Sequence, residues 1–197
     1  AKRDQIAGLD KVAEQAPPEH RKILKAMQGI MMDVETSMDG FLYRSQKAGD
    51  EGTFDPAKLT TTAALDKADA EAKWLRMEVL RVEGETKRMP AKLRDAVLKA
   101  GATNNDADTI VKDASQGGRF DLIAKLRHGE AEKIEQLEKQ FALLRAHLGK
   151  WSVDAGTKAV KFEDAEAQRA YDAADAEFAR IDAEQNATIE ALGKIGG

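Results

Sequence analysis

The sequence predicts an all-α protein, an antiparallel up-down-up-down four-helix bundle of long helices with a short two-helix insertion. The clearest evidence is residues 65–90, LDKADAEAKWLRMEVLRVEGETKRMP, which hold no glycine before Gly84 and no proline before Pro90. Aromatic residues make up only 5% of the chain and prolines number four, which favours helices over a β-sandwich. Apolar and small residues in 65–90 recur at helical spacing: Leu65, Ala68, Ala72, Leu75, Val79, Val82 and Met89.

The first elements are delimited by prolines and by composition. A short helix is predicted within residues 1–16, and Pro17 and Pro18 end it because two consecutive prolines cannot lie inside a helix. A long helix is predicted over 19–44, and residues 45–54, SQKAGDEGTF, have the composition of a loop. The apolar face of this long helix comprises Ile23, Met27, Ile30, Met31, Val34, Met38, Phe41 and Leu42.

The second long helix is predicted over residues 56–89. Asp55 is a favoured N-cap residue, and Pro56 is favoured at the first helical position. Phe54 and Leu59 have the spacing of a hydrophobic staple, in which two apolar residues pack across a helix start. We therefore expect one continuous helix, roughly 50 Å long.

Residues 90–117 differ from their surroundings and are predicted to be an insertion between long helices. They hold two short helices, 91–100 and 106–116, each followed by a glycine that can end a helix. Asn105 or Asp106 is expected to cap the second of them.

Two further long helices, 119–148 and 162–192, are joined by the connection 149–161. No strand is predicted, since no segment alternates apolar and polar residues between turn signals. Because short connections make consecutive helices antiparallel, the helices are expected to form one domain over 1–197. A long two-chain coiled coil is the alternative, and Gly29, Gly40 and Gly84 together with the connections between the helices disfavour it.

Acidic residues concentrate in the last predicted helix. Residues 163–190 hold nine acids and two bases, a net of −7, in a chain whose net charge is −4. The simpler interpretation is a solvated helix face. The functional interpretation is an acidic surface for a basic partner, with Asp172, Asp175 and Asp182 as candidate contacts. No cluster of basic residues appears, so a nucleic-acid partner is not expected.

The residue patterns of common catalytic and metal centres are missing. The chain has no cysteine, which excludes disulfides, thiolate nucleophiles and Cys-based metal sites. None of the three histidines has a glutamate three positions before it, as a di-iron bundle requires. Phosphate-binding loops and the G-x-S-x-G motif are also absent. We therefore expect no catalytic residue, no metal and no cofactor.

Two groups of residues keep an enzyme or a metal carrier as the least favoured hypothesis. Met27, Met31 and Met38 share the apolar face of the first long helix, where core packing is a simpler interpretation than copper(I) binding. Glu35 and Asp39 would form an acid–base pair if they were buried together. Exposed carboxylates on a helix flank are far commoner.

The two tryptophans are the best candidate contacts for a partner or ligand. Trp74 falls beside the face marked by Leu75 rather than on it, and Trp151 lies in a connection. The simpler expectation is that the 90–117 insertion covers Trp74 and that Trp151 closes a bundle end. An exposed tryptophan would instead mark a binding surface.

These observations favour a non-enzymatic helical interaction or scaffold protein, whose partner is another protein or a second copy of itself. No run of about 18 apolar residues exists, and the sequence begins at Ala1 rather than at Met. We expect a bacterial periplasmic protein or lipoprotein, held at the membrane only by a removed N-terminal segment. Cytoplasmic placement is the alternative.

The alternative function is a periplasmic ligand-sensing four-helix-bundle domain of a chemoreceptor or histidine kinase. Such a bundle puts both of its termini at one end, as two membrane anchors require. The glycine-rich end of the chain, residues 193–197, disfavours a helix that continues into a membrane. No residue pattern supports a small-molecule ligand.

Overall fold

The computed structural model describes residues 16–195, apart from the side chains at positions 19, 31, 34, 35 and 37. The protein is mostly helical, at 81%, which confirms the predicted helical character. The helix predicted within residues 1–16 falls outside the described part. The described elements, in chain order, are α1 (Pro18–Asp50), a 3₁₀ helix (Pro56–Lys58), α2 (Thr62–Lys87), α3 (Met89–Lys99), α4 (Asn104–Ala114), a 3₁₀ helix (Gln116–Gly118), α5 (Arg119–Ala146), β1 (Trp151–Val153), β2 (Val160–Phe162) and α6 (Ala165–Ile195).

α1 is longer than the helix predicted over 19–44. It continues to Asp50, so the first half of the loop predicted over 45–54 is helical. Ala48 explains the difference, because it is buried and extends the buried face of Phe41 by two helical turns. The polar composition of the segment concealed this single apolar position.

The continuous helix predicted over 56–89 is wrong. Asp55 does act as an N-cap, but the helix that it caps is the single 3₁₀ turn Pro56–Lys58. α2 begins separately, where the Thr61 hydroxyl accepts a hydrogen bond from the Ala64 N–H at 3.2 Å. Threonine side chains compete with the helix for backbone hydrogen bonds, which favours a new start at this point.

The apolar face predicted for α2 is confirmed. Every member is at most 4% exposed, from Leu65 at the start to Val82 near the end. Met89, the last member, belongs to α3, because α2 ends at Lys87. Pro90 lies in the first turn of α3, where its missing N–H costs no hydrogen bond.

α3 and α4 are the two short helices predicted for the insertion, each beginning two residues earlier than predicted. Thr103 caps α4, so the predicted cap at Asn105 or Asp106 is wrong. The Thr103 hydroxyl accepts from the Asp106 N–H at 3.2 Å, and the Asp106 carboxylate accepts from the Thr103 N–H at 3.4 Å. This reciprocal capping box satisfies two backbone donors at the helix start.

The connection predicted to contain no strand holds an antiparallel two-stranded sheet, so that prediction is wrong. Trp151 pairs with Phe162, and Val153 pairs with Val160. Each strand has only three residues, too few to display an alternating pattern. A carboxylate organises the turn between the strands, since Asp154 accepts hydrogen bonds from two backbone N–H groups.

The sheet also explains why the last helix starts later than residue 162. Phe162 belongs to β2, and Asp164 is the N-cap of α6. Its carboxylate accepts from the Glu166 N–H at 2.7 Å and from the Ala167 N–H at 3.2 Å. α6 therefore runs from Ala165 to Ile195, against 162–192 in the prediction.

The described part of the chain divides into two compact units. Unit 1 contains residues 16–39, 82–124 and 191–195, and unit 2 contains residues 40–81 and 125–190. Unit 1 has a core of Leu93, Val97 and Ala107, against which Ile23 and Met27 of α1 pack. The predicted single domain over 1–197 stays a prediction.

In unit 2, ion pairs join α1 to α2, α2 to α5, and α5 to α6, so each long helix is joined to the next long helix along the chain. α5 and α6 also approach closely at Gly129, where an added Cβ would lie 3.0 Å from the Gln185 side chain. Gln185 Nε2 donates to the Leu126 carbonyl at 3.0 Å beside this point. The joining pairs are Arg44–Glu71 between α1 and α2, Arg76–Glu135 between α2 and α5, and Lys133–Asp182 between α5 and α6.

Candidate interaction surface

The face of α2 opposite its buried stripe carries apolar side chains. Met77 is 63% exposed and Leu80 is 41% exposed, while Trp74 is half-buried. The three residues are spaced three apart, so they form one row along the helix. We call Trp74, Met77 and Leu80 the outer row.

Arg44 of α1 holds the tryptophan of the outer row in place. Its guanidinium carbon lies 4.0 Å from the centroid of the Trp74 ring. The same guanidinium donates to both carboxylate oxygens of Glu71, from Nε at 2.6 Å and from Nη2 at 2.7 Å. The hydrogen bond to Glu71 raises the pKa of Arg44. The Trp74 ring thus contacts a cation that is itself held to α2 by two hydrogen bonds.

A second aromatic residue of unit 2 is the sequence neighbour of Arg44. Tyr43 directly precedes Arg44 in α1 and is 74% exposed. Trp, Tyr and Arg are the residues most enriched among those that dominate binding energy in protein interfaces. The composition of this part of unit 2 is therefore typical of an interface centre.

The charged residues that flank the outer row are paired within the chain. Lys73 Nζ lies 2.8 Å from the Asp69 carboxylate, and Arg81 Nη2 lies 2.9 Å from Glu78. These pairs neutralise the charges around the apolar side chains. A partner that covers the row therefore meets no strong net charge.

Trp151, the second predicted contact, lies in β1 and is half-buried. Its indole Nε1 donates to the Leu144 carbonyl at 3.0 Å, which fixes the orientation of the ring. A cavity of about 430 Å³ lies beside the ring. Its lining comprises Ala57, Thr60, Leu148, Gly149, Trp151, Ser152 and Val153.

The three aspartates predicted as contacts of an acidic surface are exposed on one side of α6, and each has a polar neighbour. Asp182 pairs with Lys133 at 2.7 Å. The other two accept hydrogen bonds from amides, Asp175 from Gln140 at 2.6 Å and Asp172 from Gln168 at 2.8 Å. Of the three, only Asp182 has its charge compensated by a cation, and the two amides leave the charges of Asp175 and Asp172 in place. Whether these residues bind a partner stays a prediction.

Two shallow cavities lie between α5 and α6 in unit 2. The first has a volume of about 540 Å³ and is lined mainly by alanines, with Leu143 and Lys139 among the other lining residues. The second has a volume of about 330 Å³ and is lined by Gly129 and by charged residues, among them Arg180. Arg180 is itself paired with Glu177 and Glu184.

The residues considered for metal or acid–base chemistry are dispersed. Met27 packs against the unit 1 core and Met38 is buried, while the Met31 side chain lies outside the described part. Asp39 is exposed, and the side chain of Glu35 is also outside the description. Among the described residues, no group of three or more His, Asp or Glu side chains is placed to hold a metal ion.

None of the helices within residues 16–195 is long and apolar enough to cross a membrane.

Comparisons with protein-family models, with curated proteins and with solved structures find no match to this chain.

The sequence pattern pointed to Trp74 but missed Met77, Leu80 and Tyr43. All three are large side chains outside the buried stripes, and such residues are not unusual on protein surfaces. A signal was present, since Met77 and Leu80 continue from Trp74 at a spacing of three. Their significance depends on Arg44, which lies 30 positions away from Trp74 in the sequence and brings α1 beside the row.

Proposed function

We propose that this protein is a non-enzymatic interaction protein that binds a protein partner through the outer row of α2. The observation that carries the proposal is the exposure of Met77 and Leu80 beside a tryptophan that Arg44 immobilises. Ordering of interface side chains is one of the main costs of binding. The contact with Arg44 already orders the Trp74 side chain, so binding a partner requires little further ordering of this residue.

We further propose that the four long helices form an up-down-up-down bundle. Support comes from unit 2, where ion pairs join α1 to α2, α2 to α5, and α5 to α6. This is the neighbour order expected when the α3–α4 segment is an insertion. A bundle of this kind would serve as a rigid support for the outer row.

A photo-crosslinking amino acid at position 77 tests the proposed function. A matched variant carries the same amino acid at position 189, because Ile189 is also an exposed apolar residue but lies on α6. We expect a discrete adduct from position 77 and none from position 189 after irradiation of the source cells. The crosslinked protein, once identified and purified, should bind the wild type and bind Met77→Glu at least tenfold more weakly.

The absence of any adduct at position 77, both in the source cells and with the purified chain at hundreds of micromolar, would contradict the proposal. An adduct that forms equally from both positions would also contradict it, because that outcome indicates non-specific contact.

The cavity beside Trp151 favours a second candidate function, the binding of a small ligand as in a sensor domain. Its lining combines an aromatic face with the hydroxyl groups of Thr60 and Ser152. Ligands that bind only the folded state raise the melting temperature. A screen for such shifts, repeated with Trp151→Phe, separates ligand sensing from protein binding, because only ligand sensing predicts a saturable shift that this variant reduces.

Placement in the cell envelope stays a prediction from the sequence, with the cytoplasm as its alternative. Immunoblotting of fractionated source cells checks it, together with the intact mass of the mature chain. A lipid-modified species in the membrane fraction would support the prediction, and a species found only with cytosolic markers would contradict it.

A further inference from the structure

We propose that the partner of the outer row is a second copy of this chain, which packs its own α2 against the first in an antiparallel, two-fold arrangement. The inference rests on the proposed function and names the occupant of that surface. Isologous dimers of this kind are the commonest protein oligomers. In them, a contact from residue i to residue j of the other copy occurs twice.

The spacing of the outer row satisfies this reciprocity. In an antiparallel helix pair, each helix contributes contact positions that lie three residues apart. The first of these positions on one helix packs against the second on the other. Met77 and Leu80 occupy two such positions. Met77 of each copy therefore packs against Leu80 of the other, and two apolar contacts form about the symmetry axis.

The flanks of the row are complementary in the same register. Trp74 and Arg81 lie seven positions apart, which is two helical turns, so Arg81 lies on the same side of the helix as Trp74, beside Met77 and Leu80. In the antiparallel pair, Trp74 of each copy lies beside Arg81 of the other, where the cation can contact the aromatic ring. Along the helix axis, one Trp–Arg contact lies at each end of the two Met–Leu contacts.

Electrostatic repulsion does not oppose this pairing. Arg44, which contacts Trp74, is paired with Glu71. The cations of α2 that flank the row, Lys73 and Arg81, are likewise paired within the chain, with Asp69 and Glu78 respectively. Two copies of a neutralised face can approach without stacking like charges. A partner of strong net charge would gain nothing from the same face, which favours self-association over binding of a highly charged protein.

The size of the face sets the strength of the dimer. From Trp74 to Arg81 the helix rises only about 10 Å. Even with neighbouring side chains, such a contact falls below the roughly 1,200 Å² that separates stable complexes from transient ones. We therefore expect a dimer that forms only at high chain concentration.

Sedimentation equilibrium of the purified full chain tests the proposal. The mean mass should rise from 21.5 kDa towards twice that value as the concentration is raised into the hundreds of micromolar. Met77→Glu should remain monomeric over the same range. Ile189→Glu, which replaces another exposed apolar residue, should dimerise like the wild type.

Cysteine crosslinking tests the register, and the absence of native cysteine makes it unambiguous. Met77→Cys chains and Leu80→Cys chains, one of them with a larger tag, are mixed and gently oxidised. The mixed disulfide should form at least several-fold more than when Met77→Cys chains are mixed with Ile189→Cys chains. Equal yields in the two mixtures would overturn the proposed packing.

A wild type that stays monomeric at every concentration overturns the self-association proposal. If position 77 then crosslinks to a different protein in cells, the interaction function survives with another occupant. If it crosslinks to nothing, the interaction function fails as well. The two failures are therefore distinguishable.

Discussion

The Arg44 guanidinium lies 4.0 Å from the centroid of the Trp74 ring while it donates two hydrogen bonds to the Glu71 carboxylate. Glu71 and Trp74 are three positions apart on α2, so one side chain from α1 contacts two adjacent residues on one face of α2. The packing of these two helices is therefore coupled to the orientation of the tryptophan.

Arg44→Ala should lower the free energy of unfolding by about 1 kcal/mol, since it removes a half-exposed ion pair and a cation–π contact. It should also free the Trp74 ring, so that its fluorescence shifts to longer wavelength in a Trp151→Phe background. Arg44→Lys keeps the charge but loses the two-pronged geometry, and should show most of the same shift. Lys67→Ala, which removes an exposed cation of α2, should show none.

Unchanged Trp74 fluorescence in Arg44→Ala would mean that the ring is held by other neighbours. The ordering of Trp74, on which the proposed function depends, would then have to be attributed to the helix packing alone.

Truncation of Leu75 and truncation of Met77 should affect stability very differently, although the two residues lie only two positions apart. Leu75 is 3% exposed, and Leu75→Ala should cost about 2–5 kcal/mol by opening a cavity. Met77→Ala should change stability by only about 0.5 kcal/mol or less, since the side chain lies mainly in solvent. Urea unfolding of both variants measures the difference.

A large loss of stability in Met77→Ala would show that Met77 supports the fold rather than a partner. The pair thus separates the structural face of α2 from its proposed binding face.

The buried stripe of α2 could be predicted from sequence because a helix buries side chains at its own period. The members of the stripe, from Leu65 to Val82, follow that period without interruption, and each of them is buried. Breaks in helices were harder to predict. The 3₁₀ turn after Asp55 and the new helix start at Thr61 depend on hydrogen bonds from backbone N–H groups to side chains. These bonds compete, at similar energy, with the backbone hydrogen bonds of a continuous helix.

The strands and the binding surface were harder still, for different reasons. β1 and β2 are three residues each and form because their pairing and the Asp154 turn support one another. The outer row is identified by what Arg44 contacts, which requires the α1–α2 packing. Single-residue exposure and long-range pairing are properties of the tertiary structure, and no periodicity in the sequence encodes them.

Asp164→Ala should lower the melting temperature, because α6 loses the acceptor for two of its first backbone N–H groups. Asp164→Asn keeps an acceptor and should lose less. The hydrogen bond from the Ala167 N–H, followed by that from Glu166, lowers the pKa of Asp164. A lowered pKa means that the carboxylate stabilises the fold above the pKa of the unfolded chain, near 4.

This contribution should disappear as pH falls through the folded-state pKa. Thermal melts from neutral pH to about pH 2 should therefore show the wild type and Asp164→Asn converging in acid. A gap between them that stays constant with pH would contradict the assigned role of the charged carboxylate.

Tyr171 should make the fold sensitive to alkaline pH. Burial, with smaller effects of Asp175 and Asp172, raises its pKa to about 12. Tyrosine in an unfolded chain ionises near pH 10. Between these values the unfolded chain loses a proton that the folded chain retains, so unfolding becomes more favourable as pH rises. The stabilisation is fully present below about pH 10 and is lost as pH approaches 12.

Tyr171→Phe removes the ionisable hydroxyl group and keeps the aromatic ring, whose centroid lies 5.5 Å from the centroid of the Phe162 ring. Urea unfolding at a series of pH values should therefore show a steeper loss of stability above about pH 10 for the wild type than for Tyr171→Phe. Parallel curves for the two proteins would contradict the burial of Tyr171, because an accessible phenol ionises equally in both states. The lysines that also titrate in this range are common to both proteins and cancel in the comparison.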